Sequence, residues 1–124
     1  METTATPHEL LPLTPAVFQI LLALMGQERH GYGIMKEVAA QTDGEVVLRP
    51  GTLYQAIKRM LDLGLIEESD ERPDQDLDDE RRRYYKLAGL GRKVAHAEVE
   101  RLGKLLQIAR AKEKLLTHAQ EWSA

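Results

Sequence analysis

The chain has 124 residues and a formal charge of −3 at neutral pH. That is the length of one domain, enough to bury a core unaided. It holds no cysteine, so disulfides and thiolate metal sites are excluded. Its longest apolar run, residues 20–25, is far too short to span a bilayer, and nothing resembles a secretory leader. A cytoplasmic protein with no membrane association is expected.

The acidic total argues against a polyanionic partner, but the charge is uneven. Residues 70–80, DERPDQDLDDE, hold seven acids and one arginine, a local −6. Elsewhere 16 basic residues face 13 acids, a balance of +3. A phosphate backbone meets the local field rather than the total.

In chain order, residues 1–12 lack periodicity and are expected to form a flexible arm. LTPAVFQILLALMG follows, with Thr14 as N-cap, Pro15 in the first helical position and Gly26 as the stop. Val17, Phe18, Ile20, Leu21, Leu24 and Met25 cover more than one stripe of this helix. It therefore wants two neighbours, a core and a partner subunit, and Val17 and Leu21 are assigned to the partner. A second helix over 32–41 turns Ile34, Met35 and Val38 inward and closes at the Asp43-Gly44 turn. Residues 45–48 read as a short extended piece.

The third helix opens near Pro50 and stops at Gly64. Leu53, Ala56, Ile57, Met60 and Leu61 fall at i, i+3, i+4, i+7 and i+8, one apolar face. Residues 65–69 and 81–87 read as antiparallel strands joined by the acidic run as a long hairpin loop. In the second strand Tyr85 and Leu87 share one face, Tyr84 and Lys86 the other. From residue 90 to about 120 the pattern is helical again. Val99, Leu102, Leu106, Ala109 and Leu116 form a seam like that of a coiled coil. Gly103 costs that helix about 1 kcal/mol against alanine and would allow a close crossing.

On the third helix, with Leu53 at the centre of the buried side, Gly51, Gln55, Lys58 and Asp62 fall opposite, flanked by Thr52 and Arg59, with Tyr54 lateral near the tip. Gly51 leaves the first backbone N–H groups accessible to an anion. One surface thus suits a core and the other a phosphate-lined groove. Three helices, a two-stranded wing and a long last helix make a mainly α fold with a small β-hairpin: a winged helix-turn-helix over 13–88 and a C-terminal dimerisation helix over 89–124. Such a module lays its third helix in the major groove.

Three segments, HGYGIMKEV, RPGTLYQAIKRMLDLGLIE and RRRYYKLAGLG, together resemble the PadR family of bacterial transcriptional regulators across residues 13–92. The resemblance implies a dimer made by the C-terminal helix and repression from a palindromic operator, often relieved by a small molecule. By motif match Gly51, Thr52, Leu53 and Tyr54 form the tip of the DNA-reading helix, and Arg82, Arg83 and Tyr84 fall on the wing. Two positions depart from the pattern. Arg49 replaces the usual Ser or Thr cap before the proline, and Ala88 stands where a threonine commonly opens the last helix. The acidic wing tip would be repelled by DNA, so it is expected to point away or stay disordered.

Each residue also has a plainer reading. Tyr54 can pack between helices, Lys58 and Arg59 can be a solvated face, and residues 81–83 can neutralise Asp78, Asp79 and Glu80. Trp122, the one tryptophan, can cover an apolar patch at the end of the dimer, fray, or stack on a ligand. A calcium loop opening at Asp74 would need glycine and glutamate where Asp79 and Tyr85 stand. The four histidines lack ligand spacing, and no nucleophile constellation is present.

The expectation is a dimeric, sequence-specific DNA-binding transcriptional regulator, a repressor released by a small molecule or another signal. It has no cofactor, metal or enzymatic activity. Its DNA contacts are Arg49, Gly51, Thr52, Tyr54, Gln55, Lys58, Arg59, Arg82, Arg83 and Tyr84. Its dimer contacts are Val17, Leu21, Val99, Leu102, Leu106 and Ala109, with the apolar space between paired first and last helices as effector pocket. An inverted repeat with half-sites about 34 Å apart is the expected operator. The alternative is a winged-helix adaptor that binds protein and not DNA.

Overall fold

The computed structural model describes residues 6–69 and 83–123, with side chains to Thr117. The acidic run 70–80, Arg81, Arg82 and the side chain of Trp122 lie outside the described residues.

The elements are α1 (Pro15–Ala23), β1 (Arg29–His30), α2 (Gly31–Gln41), α3 (Pro50–Leu63), β2 (Ile66–Ser69), β3 (Tyr84–Leu87) and α4 (Gly89–Ser123). Of the N-terminal arm, Pro7–Leu10 forms a 3-10 turn, and Leu10, Leu11 and Leu13 pack against the core. Three leucines within four residues have enough apolar surface to hold this segment without periodicity.

Thr14 Oγ1 accepts from the Val17 amide at 3.2 Å and starts α1. Val17, Ile20, Leu21 and Leu24 point into the core, with Leu21 fully buried. The assignment of Val17 and Leu21 to a partner subunit is therefore corrected. Phe18 and Leu22 are half-buried and Met25 exposed, a stripe at i, i+4 and i+7 on the opposite side.

Helix α3 buries Leu53, Ile57 and Met60 and ends at Gly64, whose φ of 78° permits the left-handed cap. The sheet has three strands in the order β1–β3–β2, all antiparallel. Residues 45–48 join none of them. The third strand is instead Arg29–His30, two residues that carry no readable alternation. It makes β3 central, which buries Tyr84 as well as Tyr85.

Helix α4 runs 35 residues, about 52 Å at 1.5 Å per residue. Its first third holds to the body through Val94, Ala95 and Glu98. From Leu102 to Thr117 every side chain is exposed, including Leu102, Leu105, Leu106, Ile108, Leu115 and Leu116.

Glu98 is the one buried charged side chain among the described residues, 2% exposed. It takes both nitrogens of the Arg101 fork, Nε on Oε1 and Nη2 on Oε2 at 3.0 Å, and accepts the Leu13 amide at 3.0 Å. The Arg101 bonds hold its carboxyl below the usual range, with help from Leu13 and against the cost of burial. A depressed folded value stabilises above the unfolded value and is lost as pH falls through the folded one. Glu98→Gln should therefore lower the melting temperature at pH 7 and shrink the drop that the wild type shows on acidification below about pH 4.3. Thermal denaturation at both pH values measures this, and parallel acid losses in the two proteins would contradict it.

Candidate nucleic-acid interface

Arg49, Gly51, Thr52, Tyr54, Gln55, Lys58 and Arg59 are all exposed: Arg49 is the N-cap of α3, Gly51, Gln55 and Lys58 lie opposite the buried Leu53, Ile57 and Met60, and Thr52, Tyr54 and Arg59 flank them. The helix places them there because its apolar residues fall on one arc only, so the other arc faces solvent. Among the described residues none of Arg49, Lys58 and Arg59 forms an ion pair. Their charge is uncommitted and available to a phosphate. Arg49 makes no side-chain cap bond, as expected of a residue without a side-chain acceptor.

The lower part of this face and the start of α1 border an open hollow of about 640 Å³, lined by Thr14, Ala16, Thr52, Gln55, Lys58 and Arg59 among others. A backbone strand laid here would meet hydroxyls, an amide and two cations, with the Asp62 carboxylate opposing them at one border.

Tyr54 packs against α2 and is also half open to solvent. It is 51% exposed, and its hydroxyl end also lies against Gly31, where an added Cβ would stand 2.4 Å from Oη. Tyr85, nearby, has its phenol pushed up by burial, then by Glu68 and Tyr54, with Arg83 opposing.

The wing supplies less than the sequence suggests. Arg83 is exposed, but Glu68 sits 3.3 Å from its Nη1, which spends part of its charge. Tyr84 is only 6% exposed and meets the His30 ring edge-on, centroids 5.2 Å apart. It is withdrawn from the DNA contacts. Arg82 lies outside the described residues.

One exposed aromatic outside the expected contacts stands at the start of α2. Tyr32 is exposed, its ring stacked on His30 and covered by Lys36 Nζ at 5.5 Å. The motif HGYGIMK contains the signal, a tyrosine and a lysine four apart on one helix face.

Among the described residues no three acidic or histidine side chains converge as a metal would require, and no helix is long and apolar enough to cross a membrane.

Three packed helices, a small antiparallel sheet and an exposed third helix define a winged helix-turn-helix of the kind found in transcription regulators. Residues 20–97 match the model of the transcriptional regulator PadR-like family, and the chain belongs to that family. Among solved structures it is similar to RosR of H. salinarum, 26% identical over 90% of this chain and 94% of that one, TM-score 0.62. A transcriptional regulator from Clostridium thermocellum is 25% identical over 77% of this chain and 87% of that one, TM-score 0.63. A PadR family regulator from Clostridium difficile R20291, 24% identical over 79% and 97%, shares the fold with a TM-score of 0.66. No curated protein matches the chain.

Proposed function

We propose that the protein is a homodimeric repressor that reads an inverted-repeat DNA operator with α3. The uncommitted cationic face of that helix carries the reading. Arg49, Lys58 and Arg59 hold phosphates, with Arg83 as a weaker wing contact, and Thr52, Tyr54 and Gln55 meet base edges. Gly51 keeps the helix tip open to the backbone.

The dimer forms through Val99, Leu102, Leu106 and Ala109 on α4 and the outward stripe Phe18, Leu22 and Met25 on α1. An exposed apolar helix of this length supports a second copy as its cover, since monomeric soluble proteins seldom leave such surface bare. Between the two helices a hollow of about 360 Å³ is lined by Met25, Leu87, Arg92, Ala95, His96 and Val99. An effector seated there releases the operator only if it binds the two arrangements of the dimer unequally.

Binding to the protein's own upstream region, titrated with salt, tests the proposal. Lys58→Ala should weaken binding to every sequence and lower the salt slope by about one unit. An unchanged slope removes Lys58 from the phosphate contacts. Protein that binds partners but no duplex at any salt would favour the adaptor instead.

A further inference from the structure

The start of α2 meets the reading helix where Gly31 faces Tyr54. Gly31 is buried, and the end of the Tyr54 ring occupies the space a side chain there would need. A Cβ on Gly31 would stand 2.4 Å from Oη and 2.9 Å from Cζ of Tyr54. The residue before it, His30, is the N-cap of α2, with Nδ1 accepting from the Gly33 amide at 3.0 Å. A ring nitrogen that accepts an N–H must carry a lone pair, so this cap exists only while Nδ1 is unprotonated.

The ring is also held from two sides. Tyr32 stacks on it with centroids 6.4 Å apart and planes 10° apart, and Tyr84 of β3 meets it edge-on. Among the described residues the other charged groups nearby are Lys36, over the Tyr32 ring, and Arg29 of β1. Arg29 is turned to the Ala23 carbonyl at 2.7 Å and to Glu37 at 3.5 Å. On the α3 side the neighbour is the Tyr54 phenol, with the Tyr85 phenol of β3 in its field. Protonating His30 removes the acceptor and places a cation at the positive end of the α2 dipole.

We propose that His30 is a positioning residue for DNA binding: its neutral Nδ1 caps α2, which holds Gly31 as the seat of Tyr54, and its protonation loosens operator binding. This rests on α3 being the reading helix. An uncapped first turn lowers the fraction of molecules that present Tyr54 correctly, and apparent affinity falls by that fraction. A cap of ordinary strength limits that loss to about five-fold, reached when the seated and unseated first turns differ little in free energy.

The test uses anisotropy of a fluorescein-labelled duplex of the protein's own upstream region, at pH 7.5 and 5.8 and constant ionic strength. Wild type should lose between about two- and five-fold at the lower pH. His30→Asn, which caps without titrating, should bind like wild type at pH 7.5 and keep its affinity at pH 5.8. His30→Ala should bind weakly at both. An equal acid loss in wild type and His30→Asn would overturn the proposal, because the proton would then act elsewhere. The Gly33 amide and Tyr54 ring resonances are read without DNA in the same buffers. They should move with pH in wild type and stand still in His30→Asn; motionless wild-type resonances also overturn it. Wild type that binds no duplex while those resonances titrate sinks the DNA reading and leaves the cap standing.

Discussion

Leu106→Asp is expected to convert the dimer to monomers and to lower operator affinity by about a hundredfold or more. Leu106 is 51% exposed in the single chain and has no core neighbour to lose, so the monomer's fold should survive. In the proposed dimer the same position would lie inside an apolar seam, where an unpaired carboxylate is costly to desolvate. Two linked half-site contacts gain roughly 10² to 10⁴ over one through effective concentration, and separating the subunits forfeits that gain. Sedimentation equilibrium and operator titration together measure it. A dimer of unchanged strength would place the interface elsewhere than the seam.

Gly91→Ala is expected to destabilise the fold by about 2 to 3 kcal/mol, against a helix-propensity gain of about 1. The first turn of α4 passes so close to the α3–β2 junction that an added Cβ would stand 1.9 Å from the Leu65 carbonyl oxygen. That oxygen accepts the Ala88 amide at 3.0 Å and is backbone, so it cannot swing aside as a side-chain end could. The helix must shift, and Val94, Ala95 and Glu98 shift with it. Denaturation at one fixed protein concentration should show the midpoint fall by about 10 °C. A midpoint within a degree or two of wild type would mean that α4 docks with more slack than the structure has.

The exposed face of α3 is legible in the sequence because this helix is amphipathic in the strict sense. One arc is apolar, the other polar, so periodicity alone separates the buried Leu53 from the exposed Gln55. Helix α1 is apolar nearly all round, and there the pattern identifies no preferred stripe. Packing against α2, α3 and α4 decides that Leu21 goes in and Met25 stays out. Tyr84 went astray for a related reason. Alternation says which residues share a face of β3, but not whether both faces are covered. That depends on β1, a two-residue strand with no pattern of its own. Glu98 lies among the charged positions of a helix that elsewhere presents them to solvent, and only the leucine segment folded over it makes it a buried acid.

The same contrast explains the wing. Arg83 and Tyr84 entered the contact set by motif match. The structure gives one of them a carboxylate partner and buries the other on the central strand beside His30. The cations of α3 have no such partner among the described residues, which is why the proposed DNA contact rests on the helix rather than the wing.

Because the chain has no cysteine, a cutting reagent can be placed at a single chosen point. Gln55→Cys carrying an iron–EDTA group, bound to the upstream duplex, should cleave at two places about one helical turn apart, close to 10 base pairs. Glu100→Cys, on α4, should leave the duplex intact. Cleavage from residue 100 with none from residue 55 would mean that the outer face of α3 is turned away from DNA.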